Sequence, residues 1–335
     1  MKPGLRALCY SATFAIAMGT LWGQPTGYSK LLTPELFDDE HYLGPAVRHK
    51  NLTVRPIFSI ASSPDGTNYL TLDEAFDRKK ITISELENDS VNTLTATNLA
   101  DGPIFVMSGE VILGGKQDRI VAKDMLIPAK STVQLDVYCV EHGRWSEEGG
   151  SNRSFRTAKK MAHTDLRASS KYSNQGAVWE KVGRKNTARK TENSTDTFRA
   201  VADDQQTKKA VDEYIAVLGA SLARHPGAVG FVASYGDDLS TVEIFSSPAL
   251  FAKIRGKLIE SVALEAVDAP AAKNTNEPTA VGVAAFLKES EAAPITTAVD
   301  NAAATSEQRL GDITGSTTVR SKTSAKPVYK STQKK

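Results

Sequence analysis

The chain has little cysteine, few aromatics and almost no net charge. Two cysteines in 335 residues exclude a disulfide-stapled scaffold. An aromatic content of 7% and a hydrophobic fraction of 40% exclude a multi-span membrane protein and a collagen-like chain. The sequence contains no G-x-S-x-G, no G-x-x-x-x-G-K-[ST], no G-x-G-x-x-G and no H-E-x-x-H, so the familiar nucleophile-elbow, phosphate-loop, dinucleotide and zinc-protease chemistries have no local signature. The five histidines are scattered without paired metal spacing. Neither a metal nor another cofactor is expected.

The formal charge of +2 argues against a bulk nucleic-acid binder. This small total conceals strong segregation. Residues 24–149 carry −7, residues 150–200 carry +8, residues 201–268 carry −4 and residues 269–335 carry +3. The basic stretch has interleaved aromatics at Phe155, Tyr172, Trp179 and Phe198, as a nucleic-acid groove would. The acidic segments on either side offer an internal counter-charge, so nucleic acid is not the expected partner.

Residues 1–23 read as a secretory signal. Lys2 and Arg6 precede an uncharged, mostly apolar run from Ala7 to Trp22, with cleavage expected after the small residues Ala17 and Gly19 or at Gly23-Gln24. The other reading is an uncleaved anchor; after cleavage no membrane span remains. The expected location is therefore periplasmic or extracellular. Cleavage removes Cys9 and leaves Cys139, which alternates in phase with Val133, Leu135 and Val137 and so reads as a small buried hydrophobe rather than a nucleophile beside His142.

Residues 24–49 form a lead segment. Residues 50–140 show short alternating runs separated by turn signals such as Asp101-Gly102-Pro103, which suggests an antiparallel, sandwich-like unit. Residues 155–224 turn helical, with Asn174 as an N-cap and a stripe of Val211, Tyr214, Ile215, Leu218 and Leu222. A hairpin around Gly236-Asp237-Asp238 follows, and Ser247-Pro248 opens a last helix. The fold class is α+β: a β-rich N-terminal half packed with helices and a small β-hairpin from the C-terminal half. Residues 50–268 form the single domain. Residues 269–335 are rich in Ala, Thr, Ser and Pro and are expected to be a disordered tail, apart from a short helix at Val281–Leu287. The six basic and no acidic groups from Gly315 onward fit either contact with an anionic cell-envelope surface or a merely solubilising end.

The most unusual segment is Ser108 to Arg119. Gly114-Gly115 suits a two-residue hairpin turn, which sets Glu110 opposite Arg119 and puts Glu110, Ile112, Gln117 and Arg119 on one face. The structural reading is a cross-strand ion pair. The functional reading is a pocket in which Arg119 binds an anion and Glu110 is a base. A second cluster, Glu141, His142, Arg144 and Trp145, sits where a strand leaves the sheet.

These motifs, Gly109-Glu110, Gly-Gly-Lys116-Gln117-Asp118-Arg119, Cys139-Val-Glu141-x-Gly-Arg144-Trp145, Gln175-Gly-Ala-Val-Trp179, Gly227-Ala-Val-Gly230 and Ile244-Phe-Ser-Ser-Pro248, resemble the ARG and rhodanese-phosphatase-superfamily-associated protein domain family. The resemblance spans residues 50–268, and points to Glu110, Lys116, Gln117, Asp118, Arg119, Glu141, Arg144 and Trp145 without assigning them roles. The first expectation is an exported domain that binds a ligand or protein partner near Glu110/Arg119 and Glu141/Arg144. The alternative is a hydrolase of an anionic or ester substrate, with Glu110 or Glu141 as general base and Arg119 as anchor. Both require these side chains to line one concave pocket.

Overall fold

Short alternating runs become strands throughout the chain, and the computed structural model describes residues 34–61, 66–86, 90–141, 154–191, 193–271, 276–324 and 326–335. The first strands are β1 (Glu35–Leu36), β2 (His41–Leu43), β3 (Val47–His49), β4 (Leu52–Ser59) and β5 (Leu70–Thr71). Thr71 and Glu74 then form a capping box that starts α1 (Leu72–Asp77). Next come β6 (Ile81–Glu85), β7 (Thr93–Asn98), β8 (Ile104–Val106), β9 (Glu110–Leu113), β10 (Arg119–Val121), β11 (Met125–Ile127), β12 (Thr132–Cys139) and β13 (Arg156–Met161). The helical stretch is α2 (Thr164–Tyr172), α3 (Gln175–Arg189), α4 (Phe198–Asp203), α5 (Gln205–Tyr214), a π turn (Ile215–Gly219) and α6 (Ala220–Ala223). Asn174 caps α3 through the amide of Ala177, as its position predicts. The hairpin β14 (Gly230–Tyr235) and β15 (Asp238–Phe245) leads to α7 (Pro248–Asp268), capped by Ser247. The chain closes with α8 (Ala280–Glu291), β16 (Ile295–Asp300), β17 (Ala304–Leu310), β18 (Thr314–Ser321) and β19 (Pro327–Lys334).

The strands form three sheets, and the fold is mixed α+β with mostly antiparallel pairing. The largest has ten strands in the order β1-β2-β4-β14-β15-β19-β18-β17-β16, with β3 also paired to β4. A six-stranded sheet, β13-β9-β10-β12-β7-β6, shares one apolar core with the three-stranded sheet β11-β8-β5. That shared core is the sandwich-like part. The small hairpin, β14 and β15, forms the middle of the ten-stranded sheet, between β4 and β19. No helix among the described residues is long and apolar enough to cross a membrane.

The expectation of a disordered tail does not hold: residues 280–291 are helical and residues 295–334 supply β16 to β19. Composition misleads here because these strands bury polar side chains. Ser306, Gln308, Thr317, Ser331 and Gln333 are all at most 5% exposed, so the apolar content usually needed for a strand is absent. Nor is the basic end a free cationic patch. Lys322, Lys326, Lys330 and Lys334 pair with Asp300, Glu40, Glu291 and Asp238 at 2.7–3.2 Å. The basic stretch after residue 150 is likewise countered from within, for example Lys159 by Asp77 and Lys160 by Asp203, each at 2.8 Å.

Two fully buried ion pairs hold this polar interior together. Arg167 on α2 reaches Glu243 on β15 at 3.0 Å, and Lys171, one turn further along α2, reaches Asp124 at 3.0 Å. Tyr329 and Thr241 donate to the Glu243 carboxylate, while the amide and hydroxyl of Ser108 donate to Asp124 at 2.8 and 3.0 Å. Burial opposes the charge on Arg167, yet Glu243 beside it holds its pKa above the usual value; Lys171 is pushed below its usual value by burial. Gly109 makes the arrangement possible: its φ is +90°, and a Cβ there would lie 2.2 Å from Cγ of Arg167.

Glu243→Ala leaves the Arg167 guanidinium buried without its partner. The variant is expected to lose about 3–5 kcal/mol of stability, measured by urea denaturation. A loss below about 1 kcal/mol, the scale of an exposed pair, would contradict the role given to this interaction.

Candidate functional site

Among the described residues, those singled out by sequence do not form one pocket. The loop between β9 and β10 runs from Gly114 to Asp118, so Arg119 lies opposite Ile112 and Ile120 opposite Val111. The predicted Glu110–Arg119 pair therefore does not form, although the two side chains keep the same sheet face. The loop is wider than a two-residue turn because side chains bond its backbone. Asp118 accepts from the Gly114 amide at 3.2 Å, Glu85 accepts from the Lys116 amide at 3.2 Å, and Arg119 donates to the Gln117 carbonyl at 2.5 Å. Both glycines still have positive φ, +112° and +61°.

Glu110 turns the other way. Its carboxylate accepts from the Met107 amide at 2.9 Å and from Lys257 of α7 at 2.5 Å, and Lys257 also holds Asp73 at 2.8 Å. Burial raises the Glu110 pKa against the pull of Lys257. This is a tether between α7, α1 and β9, and a carboxylate locked in it is poorly placed to act as a base.

Gln117, Asp118, Arg119 and Glu141 do converge. Gln117 donates to the Glu141 carbonyl at 3.0 Å, Arg119 also donates to the Val91 carbonyl at 3.1 Å and faces Glu85 at 3.6 Å, and Arg199 of α4 lies 3.9 Å from Asp118. Gln175 at the start of α3 joins them, exchanging two 2.8 Å hydrogen bonds with the backbone of Cys139. Arg119 is 0% exposed and its contacts are largely main-chain carbonyls. The cluster ties together the β9–β10 loop, the end of β12 and the starts of α3 and α4. Cys139 is buried and its thiol pKa is pushed up by that burial, which suits a packed side chain rather than a nucleophile. His142, Arg144 and Trp145 lie outside the described residues.

A different set of groups lines a cleft. Asp165 in the first turn of α2 and Glu265 near the end of α7 sit at a cavity of about 540 Å3, whose walls include Tyr235, the Gly236–Asp238 turn and Lys334. Lys185 of α3 backs the two carboxyls at 3.0 and 3.1 Å and reaches Asp268 at 3.4 Å. Asp268 is also held by Arg189 at 2.6 Å and lies 3.3 Å from buried His163. The two carboxyls, both close to Lys185, are pushed in opposite directions. Burial and the neighbouring Asp165 charge push Glu265 up to about 8, whereas Asp165, despite burial, is held well below the usual carboxylate range by the hydrogen bond from Glu265 and by Lys185. Burial also lowers His163. Such a split between adjacent carboxyls is found in acid–base sites and in structural ion-pair networks alike.

One family comparison matches at length. The sequence model of ARPP-1, the ARG and Rhodanese-Phosphatase-superfamily-associated Protein domain, covers residues 40–330. The chain belongs to this family. The ARPP-1 match runs well beyond residues 50–268 and takes in β16 to β18 and the first half of β19, in keeping with their place in the ten-stranded sheet. No curated protein and no solved structure matches the chain.

Within the ARPP-1 domain, sequence reasoning passed over Asp165, Lys185, Glu265 and Asp268. The available signals were His163-Thr-Asp165 at a helix start and Glu265 and Asp268 one turn apart at a helix end. Neither exceeds what an ordinary capped helix shows. Among the described residues no group of three or more His, Cys, Asp or Glu side chains is arranged to hold a metal ion.

The raised Glu265 pKa has a measurable consequence. Folded Glu265 keeps its proton up to about 8, whereas an unperturbed glutamate loses it near 4.5. Between these values the folded state binds the extra proton, so this site's contribution to stability falls as pH rises. From about pH 6.5 to about pH 8.5 the wild type is expected to lose stability relative to Glu265→Gln, by less than about 1.4 kcal/mol per pH unit. Urea titrations at both pH values check this; an unchanged difference between the two proteins would contradict it.

Proposed function

We propose that this domain is an exported binding module that takes a small polar ligand in the cleft over Asp165 and Glu265, where the Glu265 hydroxyl turns from Asp165 to donate to an acceptor on the ligand, leaving Asp165 to Lys185. One observation carries the reading: two carboxyls from different helices, held by Lys185 at 3.0 and 3.1 Å, stand together at an open cavity of about 540 Å3, within the size range of small-molecule sites, roughly 300–1,000 Å3. Export rests on Lys2, Arg6 and the apolar run to Trp22. The ligand-binding role expected from sequence is kept, but its position moves away from Arg119, whose guanidinium is engaged by Val91, Gln117 and Glu85.

The split pair also favours a second reading, hydrolysis of an ester or anionic substrate. In that reading Glu265 is the general acid, in place of Glu110 or Glu141 as base. Lys185 would stabilise the Asp165 carboxylate as the proton leaves.

The test is a binding and turnover screen of small carboxylates, amides, esters, phosphoesters and glycosides against wild type and Glu265→Gln. Ligand affinity in the wild type is expected to fall up to tenfold per pH unit above about 8, following loss of one proton. Affinity in Glu265→Gln, which keeps a donor at every pH, is expected to stay level. Hydrolysis, where found, should disappear in the variant. Wild-type affinity that is flat across this range, or ligand shifts mapped to other residues, would overturn the proposal.

A further inference from the structure

A second cleft, of about 420 Å3, opens at the other end of α2, where the six-stranded sheet meets β16 and β17. Its walls are polar. Asn92 and Thr93 come from the β7 side, Tyr138 from β12, Ser170 to Ser173 from the end of α2, and Thr296, Thr297 and Gln308 from β16 and β17. The mouth is exposed at Asn92 and Thr296, while the floor is buried at Lys171 and Gln308. Gln308 is 3% exposed, and its amide nitrogen has no hydrogen-bond partner among the described residues. A buried donor left unmet costs free energy unless a partner arrives.

The charged groups of the cleft are already paired. Lys171 is tied to Asp124 at 3.0 Å, and Lys123 is tied to Asp136 in the same lining, so neither an anion nor a cation meets an uncompensated counter-charge. The nine-residue helix α2 presents its C-terminal end here, where main-chain carbonyls accept hydrogen bonds. What fits is a neutral molecule that donates and accepts many hydrogen bonds. Tyr138 is half-buried and its hydroxyl already donates to the Ser173 carbonyl at 3.3 Å, leaving its ring as an apolar wall.

We propose that this cleft binds a neutral polyhydroxylated ligand, a short saccharide segment, through Asn92, Thr93, Thr296, Thr297 and the buried amide of Gln308. The proposal is independent of the Asp165/Glu265 cleft and of the reading given to it.

The test titrates the full chain with neutral tetrasaccharides built on glucose, galactose, mannose or N-acetylglucosamine, with inorganic phosphate and spermidine as charged probes, and follows backbone amide shifts by NMR. At least one tetrasaccharide is expected to shift Asn92, Thr93, Tyr138, Thr297 and Gln308, while phosphate and spermidine do not. Thr297→Trp, which fills the cleft from a half-buried strand position, is expected to weaken binding at least tenfold. Asn92→Ala, at an exposed position, is the second variant and should weaken it severalfold with the fold intact. The proposal is overturned by an absence of cleft shifts with all four tetrasaccharides, by binding that neither variant weakens, or by phosphate or spermidine occupying the cleft instead.

Discussion

The structure depends on two opposite-charge pairs held out of water, Arg167–Glu243 and Lys171–Asp124, all four side chains being fully buried. Desolvating four charges costs more than most buried contacts return, so such a cluster is a poor source of stability but a strict one of geometry. Every alternative register that moves one partner leaves a bare charge in a low-dielectric interior. The quartet therefore fixes how α2 lies across β15 and β19 and where the Ser108 and Asp124 segments sit. It also explains why the last strands are made of Ser, Thr and Gln. Ser331 accepts from Lys171 and Ser306 donates to the Asp124 carbonyl, whereas Val319, Val328 and Tyr329 of the same strands join Leu250, Phe251, Ile254, Leu258 and Val262 of α7 in the apolar core.

Both clefts are consequences of the same anchored helix. One wall of α2 is pinned inward by Arg167 and Lys171. Its first turn then presents Asp165 to Glu265 and Lys185, and its last residues, Ser170 to Ser173, form part of the second cleft. The motif residues around the β9–β10 loop serve the same framework from the other side: Gly109 admits the Arg167 stem, and Gln117, Arg119 and Gln175 bond to main-chain groups where three elements end. Their functional appearance in sequence arises because a charged side chain satisfying buried backbone looks, residue by residue, like one awaiting a ligand.

Much of the fold was legible. Alternation located β4, β6 to β10 and β12; Asn174 and Ser247 marked helix starts; the apolar stripe found α5 and its continuation through Leu222. Three things were not legible. A five-residue loop closed by Asp118 cannot be told from a two-residue Gly-Gly turn without knowing that Glu85 is nearby. Strands β17 to β19 bury Ser, Thr and Gln side chains alongside the few apolar ones, Val319, Val328 and Tyr329, that join the core, which defeats a composition rule. Glu265 acquires its proton from the proximity of Asp165, a hundred residues earlier in the chain, and no local pattern encodes that meeting.

The central claim is that the buried quartet makes the C-terminal strands part of the same cooperative unit as α2, β15 and α7. Native-state hydrogen exchange tests it directly, because amides that open only with the whole domain share one protection free energy. Amides of β15, β18 and β19 are expected to exchange together with those of α7, in the most protected class and with the same dependence on low concentrations of denaturant. Independent, faster exchange of β18 and β19 while β14 and α7 stay protected would contradict the account.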